Sequence, residues 1–285
     1  KTEYLYPSRE KTLGINGGIF PEDVESALEK DPDIQAVLIT SPTYDGILSD
    51  VKRIAQAAHR HRIPLIVDEA HGAHLPFHQL FPKSALYLGA DLVIQSLHKT
   101  LPSLTQTAVL HQQSDLVSGE RLERFLGIYQ TSSPSYVLMA SITACLRYLE
   151  ENGGQAFDRY VFRLEQCRRK LSQMKNLYLP GREIWGQGGI FDLDLSKILI
   201  SGAGAGIQGP ALHRILREKY RLEMEMEAPG YVLALTSVMD TEEGFGRLTK
   251  ALEEIDSALA QAYPTKAGIH RISIPSFGKY PEELR

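Results

Sequence analysis

Asp91-Leu92-Val93-Ile94-Gln95-Ser96-Leu97-His98-Lys99-Thr100 is the stretch that decides the fold. An apolar, β-branched run passes straight into a serine, a histidine and a lysine, which is the pattern of a buried strand ending at a polar edge. Working outward, Pro64-Leu65-Ile66-Val67-Asp68 is a second such run, and Asp68 closes it. Ala36 to Thr40 is a third, ended by the loop signal Ser41-Pro42-Thr43-Tyr44-Asp45-Gly46, and Thr107 to His111 is a fourth. Amphipathic helices fit between them. Pro21 to Lys30 opens on a proline with Glu22 and Asp23 in its first turn, where they favour the helix dipole, and Ser49 to His61 follows. This alternation over the first 120 residues predicts parallel strands joined by crossovers. Ligands of open α/β sheets bind at the carboxyl ends of the strands, and Asp68, Ser96, Lys99 and the Pro42 loop all fall there.

Downstream, Ser135 to Lys175 reads as long helices broken at Gly153-Gly154. From Ile184 the pattern changes to short strands (Ile190 to Leu195, Lys197 to Ser201, Tyr231 to Thr236) around helices at Gly209 to Tyr220 and Thr241 to Ala262. The expected class is therefore α/β: a mostly parallel sheet with flanking helices in residues 1–150, then a small α+β domain in 151–285. The tail from Thr265 is rich in proline and glycine.

Composition narrows the function. Of 285 residues, 43% are apolar and 23% charged, with a net charge of −4, so an ordinary globular core is expected. Lys and Arg are scattered, which gives no electrostatic support for nucleic-acid or anionic-membrane binding. No apolar run reaches the roughly 18 residues of a membrane span, and the amino terminus has no signal-peptide layout. Two cysteines, Cys145 and Cys167, form no disulfide framework, so a reducing, cytoplasmic setting is expected.

A lysine nucleophile condenses with the carbonyl of an aldehyde cofactor or a substrate. A pyridoxal cofactor also needs a carboxylate at its ring nitrogen and small polar donors around its phosphate. Taken alone, Lys99 reads as a solvated loop lysine and Asp68 as a strand-end cap. Paired at neighbouring strand ends, they are hard to explain as surface decoration. Ala70 can pack flat beneath a ring, and Ser96 and His98 can reach a phosphate.

Val67-Asp68-Glu69-Ala70-His71-Gly72-Ala73-His74, Gly89-Ala90-Asp91 and Gln95-Ser96-Leu97-His98-Lys99-Thr100-Leu101-Pro102-Ser103-Leu104-Thr105-Gln106 together resemble the Orn/Lys/Arg decarboxylase family of fold-type I pyridoxal-phosphate enzymes. Thr40 to Gly46 resembles its strand-to-loop segment. Thr131-Ser132-Ser133-Pro134-Ser135 resembles the segment that reaches toward the partner subunit's cofactor. The resemblance implies pyridoxal phosphate attached at Lys99, its ring nitrogen on Asp68, Ala70 beneath the ring, and its phosphate on Ser96 and His98. It further implies His71 near the ring hydroxyl or the substrate carboxylate, and Thr131 and Ser132 serving a cofactor across a homodimer or an assembly of dimers. Lys99 and His98 are the candidates for returning a proton to carbon. The implied reaction is decarboxylation of arginine, lysine or ornithine to the amine and carbon dioxide. Family members carry a hundred or more residues upstream, including a phosphate-binding loop and a ring-stacking histidine, and the carboxyl-terminal domain looks cut short after Pro281, so either a fragment or a chain whose missing portions are supplied elsewhere is expected. Two other classes stay open: another fold-type I activity, such as an aminotransferase or aldolase-type lyase, and a non-catalytic remnant.

Competing motifs are present. Asp68-Glu69-Ala70-His71 spells the helicase acidic box, but no phosphate-cradling G-x-x-x-x-G-K-[ST] accompanies it. His71, His74 and His78 suggest a metal cluster at loose spacing, and no metal is expected. Gly204-Ala205-Gly206-Ile207-Gln208-Gly209 fits G-x-G-x-x-G with Glu223 at a ribose-binding distance, though no second βαβ half follows. Trp185 reads as a packing anchor, and both cysteines as inert core thiols.

Overall fold

A computed structural model describes residues 2–262. In chain order the elements are α1 (Pro21–Lys30), β1 (Val37–Thr40), β2 (Ile47–Leu48), α2 (Val51–Arg60), β3 (Leu65–Asp68), β4 (Leu92–Ser96), α3 (Leu97–Thr100) and β5 (Ala108–Gln112). Then come α4 (Gly119–Tyr129), α5 (Tyr136–Leu171), β6 (Asp192–Leu193), β7 (Lys197–Ile200), α6 (Gly209–Tyr220), β8 (Met226–Ala228), β9 (Tyr231–Leu235) and α7 (Glu242–Ala262). The Pro- and Gly-rich tail lies outside the described residues.

The first sheet has the order β1-β3-β4-β5, with β1, β3 and β4 parallel. The expectation of parallel strands fails at β5, which runs antiparallel to β4. Only Leu101 to Thr107 separate α3 from β5, whereas a parallel return needs about a dozen residues or more. The chain instead turns back through Gln106 at φ +77°. One face of this sheet buries Ile39, Leu65, Val67 and Val93 against Val24 and Leu28 of α1 and Ile54, Ala55 and Ala58 of α2. The other face is less covered: Leu38 is exposed and Ile66 and Ile94 are half-buried. Side chains alternate along strands, so Asp68 and Ser96 lie on this second face.

The second sheet is β7-β9-β8, wholly antiparallel. Strand β8, three residues joined to β9 through Pro229-Gly230, was not expected from the sequence. Helix α5 does not break at Gly153-Gly154; it runs unbroken for 36 residues. Each interior glycine costs about 1 kcal/mol, and the burial of Phe157, Tyr160, Val161 and Leu164 on the same helix outweighs it. The largest core among the described residues joins segments far apart in the chain: Leu48, Ala73, Leu75, Leu97 and Leu101 pack in one cluster with α5, with Ile198 and Val232, and with Leu248 and Leu252 of α7. The two-residue strand β2 pairs with β6, tying the Pro42 loop to the later segment.

Candidate active site

Strand β3 ends at Asp68, whose neighbours in register are Thr40 and Ile94. Asp68 is half-buried, and its Oδ1 accepts from the Ala70 amide at 3.0 Å. Strand β4 runs directly into the single turn α3, which buries Leu97 and Thr100 and leaves His98 and Lys99 half-buried. Ser96 sits at the N-cap of α3, yet its hydroxyl makes no capping bond. His98 Nδ1 donates to the Thr107 carbonyl at 2.9 Å, which leaves Nε2 as its remaining polar atom.

The centre of the site is His71. Its Nε2 lies 3.1 Å from Lys99 Nζ, and its Nδ1 lies 2.8 Å from Lys197 Nζ. Tyr44 meets the imidazole edge-on at 4.7 Å between ring centres. Burial, reinforced by the two flanking lysines, pushes His71 down to about 3, so the ring is neutral at physiological pH.

Lys197, the first residue of β7, is only 1% exposed. Burial pushes its ammonium down to about 8, against the pull of Asp194 and Glu225. At neutral pH it therefore remains mainly charged. Its stem threads past Gly46, at φ +87°, where an added Cβ would meet Lys197 Cγ at 2.7 Å. Asp194 is completely buried, which alone would raise its carboxyl; His74, Lys197 and Ser196 instead hold it at about 2. It accepts from Ser196 N at 3.0 Å and Ser196 Oγ at 2.8 Å, and faces His74 Nε2 at 3.3 Å. Around the rim, Tyr44 donates to Glu225 at 2.5 Å and Tyr231 to Asp45 at 2.6 Å. The Glu225 carboxylate pushes the Tyr44 phenol up to about 12.

Of the residues expected from sequence, Lys99 and His71 are in direct contact, and Asp68, Ala70, Ser96 and His98 share their sheet edge. Thr131 and Ser132 are not brought to that edge. They lie exposed between α4 and α5, and the Thr131 hydroxyl accepts a local bond from Ser133 N at 3.1 Å. The sequence reading missed Lys197, Asp194 and Tyr44 as parts of the site. The available signal was the interruption of the apolar run Ile190 to Ile200 by Asp192, Asp194 and Lys197.

The competing motifs resolve differently. Glu69 is 1% exposed and accepts from Ser84 Oγ, Ala85 N and Gln95 Nε2 at 2.6 to 2.7 Å, a structural role that leaves it no place beside a nucleotide metal. His71, His74 and His78 turn to separate partners: the lysines, Asp194 with Ser196, and Asp158. The glycine run follows a strand of an antiparallel sheet rather than a βαβ unit. Gly209 is needed because a Cβ would stand 2.0 Å from the Ala228 carbonyl oxygen, whereas nothing lies within 4 Å of one at Gly204 or Gly206.

The family model for the Orn/Lys/Arg decarboxylase major domain matches residues 2–193. The chain belongs to the Orn/Lys/Arg decarboxylase family. Among members of this decarboxylase family, an arginine decarboxylase of Halalkalibacterium halodurans is 37% identical over 252 residues, covering 88% of this chain and 51% of the relative. An arginine decarboxylase of Bacillus subtilis is 34% identical, covering 90% of this chain and 53% of the relative. The chain thus spans about half the length of these curated relatives. A Francisella novicida lysine decarboxylase superposes with a TM-score of 0.74 at 21% identity over 91% of this chain and 42% of that one, which establishes the likeness of fold.

Proposed function

We propose that this chain carries the catalytic half-site of a pyridoxal-phosphate-dependent decarboxylase acting on a basic amino acid, with arginine the first substrate to test. One observation carries the reading: the half-buried amine of Lys99 stands 3.1 Å from a neutral imidazole, one strand away from the Asp68 carboxylate, in a member of the Orn/Lys/Arg decarboxylase family.

The donor set fits the cofactor. Lys99 supplies the amine for covalent attachment. Asp68, on the same sheet face as Ser96, holds a proton at the pyridine nitrogen. Ala70 offers a small side chain beneath the ring, and the Ser96 hydroxyl, unused by the helix it precedes, is free for phosphate together with His98. His71 Nε2, 3.1 Å from Lys99 Nζ, is the group that would bond the ring hydroxyl or the substrate carboxylate. When bound, pyridoxal phosphate supplies the sink for the electron pair left as carbon dioxide departs. Lys99, or His98 beside it, then returns a proton to the α-carbon.

Thr131 and Ser132 act across a homodimer interface. The surrounding surface supports this: α4 buries no residue, and Phe125, Ile128, Tyr129, Tyr136 and Val137 are exposed together around the Thr131 segment. The test is borohydride trapping of pyridoxal phosphate with mapping of the modified lysine, followed by assays of carbon dioxide and keto-acid release from arginine, lysine and ornithine. An adduct that persists in Lys99→Ala overturns the cofactor assignment. Keto acid without carbon dioxide replaces the decarboxylase with an aminotransferase.

A further inference from the structure

Arginine, lysine and ornithine share a cation at the far end of the side chain, so a site that selects them has to meet that charge. Of the carboxylates described at the site, all but one are already taken. Asp68 is committed to the cofactor's ring nitrogen. Asp194 is completely buried and accepts from Ser196 N and Oγ. Asp45 is half-buried and accepts from Tyr231 at 2.6 Å. Glu225 is exposed, and its side chain accepts from the Tyr44 hydroxyl at 2.5 Å. Its neighbours show what a carboxylate here does when a cation is at hand. Glu223 and Glu227 reach His213 at 3.2 and 2.6 Å, and Glu223 also meets Arg217 at 3.1 Å. Among the described residues, Glu225 has no such ion pair.

Geometry ties this open carboxylate to the reacting end of the site. Tyr44 meets the His71 imidazole edge-on at 4.7 Å between ring centres, and His71 Nε2 stands 3.1 Å from Lys99 Nζ. Glu225 is therefore one phenol and one imidazole away from the amine that anchors the cofactor. A guanidinium carbon lies five bonds beyond its α-carbon, on the order of 6 Å when extended. A side chain of that length can run past the two rings. We propose that Glu225 is a specificity-determining residue: its carboxylate receives the side-chain cation of the amino-acid substrate, the Tyr44 hydroxyl holds that carboxylate in place, and a guanidinium is the cation it fits best.

The hydrogen-bond capacity supports that choice. An ionised carboxylate offers two oxygens and about four lone-pair sites. Tyr44 uses one site on Oε1, which leaves Oε2 and the second site of Oε1 for the parallel N–H pair of a guanidinium. Tyr44 contributes in a second way. It is 41% exposed beside the carboxylate, and a planar guanidinium stacks on an aromatic face, whereas an ammonium is a compact, strongly hydrated point charge. The carboxylate is also fixed from behind, because the Glu225 amide donates to the Leu233 carbonyl of β9 at 2.9 Å. The group that reads the substrate thus comes from the second sheet, while Lys99 and Asp68 come from the first.

The inference rests on the decarboxylase reading and names the group that sets its substrate class, so the test separates the two. Calorimetry on the full chain loaded with pyridoxal phosphate compares arginine with citrulline, in which a neutral ureido group of nearly the same shape replaces the guanidinium. The parent should bind arginine about tenfold to a hundredfold more tightly, the range expected of charge-assisted hydrogen bonds to a carboxylate. Glu225→Gln should weaken arginine by that factor and leave citrulline near the parent value. Glu225→Asp, which draws the carboxylate back by one methylene, should move the preference from arginine toward homoarginine. Equal affinity for arginine and citrulline in the parent overturns the inference. So does a Glu225→Gln variant that keeps the parent's preference. Should Glu225→Gln not fold, Glu225→Asp decides: an unchanged preference for arginine over homoarginine overturns the inference. Absence of any adduct at Lys99 in the parent defeats the decarboxylase reading alone. The same comparison on the chain without cofactor then judges this one by the same outcomes.

Discussion

Replacing Lys197 with methionine should make the protein more stable at neutral pH while impairing its site. Burial takes the ammonium from an ordinary 10.5 to about 8. At 1.36 kcal/mol per unit, a buried charge at pH 7 costs about 3 kcal/mol. Methionine keeps the unbranched stem that packs on Gly46 and removes the charge. It also removes the donor to His71 Nδ1, which returns about 1 kcal/mol. The net expectation at pH 7 is stabilisation by about 2 kcal/mol. The sign follows from linkage. The folded value lies below the unfolded one, so between pH 8 and 10.5 the unfolded chain holds a proton the folded chain has released. The parent therefore gains stability relative to the variant as pH rises through that window. Urea unfolding of both proteins at pH 7 and pH 10.5 measures the difference, and titrations common to the two cancel. The advantage of the variant should shrink and reverse by pH 10.5. A variant less stable than the parent by the same amount at both pH values would refute the reasoning, because it would mean that Lys197 acts only as packing.

Glu69→Ala removes the acceptor of three buried donors and should cost about 3–5 kcal/mol in chemical unfolding; a loss below 1 kcal/mol would show that water replaces the carboxylate. Gly209→Ala places a Cβ 2.0 Å from one backbone oxygen and 2.2 Å from another, which no rotamer relieves, so about 2–3 kcal/mol of stability should be lost, whereas Gly204→Ala should change little. Pyridoxal phosphate added in excess should raise the melting temperature of the parent and leave that of Lys99→Ala nearly unmoved, as expected when binding is confined to the folded state.

Much of the sheet was legible because its strands are short, apolar and ended by polar edges. Asp68 and Lys99 could be placed at neighbouring strand ends from the sequence, and β3 and β4 put them there. The direction of β5 was not read, although the shortness of Leu101 to Thr107 already argued against a crossover. Gly153-Gly154 misled in the opposite sense, since helix propensity is a local quantity and Phe157 and Tyr160 draw on the tertiary core. The site was legible only within one segment. His71 was recognisable beside Asp68, but Lys197 stands 126 positions from His71, and its burial depends on Asp194, Gly46 and a sheet that no local pattern announces. A lysine opening an apolar strand reads as a surface residue until the partner that neutralises it is found.

Helix α5 carries one more consequence. Its 36 residues extend about 54 Å. Its fully buried side chains begin only at Cys145; ahead of them Ile142 packs against the core and Ser141 accepts from Leu104 N at 2.8 Å, which leaves the stretch from Tyr136 to Ala140 with the least beneath it. As a separate peptide that segment would be mostly coil, because starting a helix is the unfavourable step. Here the anchored remainder of the helix has already supplied the nucleus, and each further residue simply extends an existing rod. The free end can therefore open and close one residue at a time without disturbing the core. Amide protection should climb gradually from Tyr136 and level off past Cys145, making α5 a built-in scale on which local opening gives way to global unfolding.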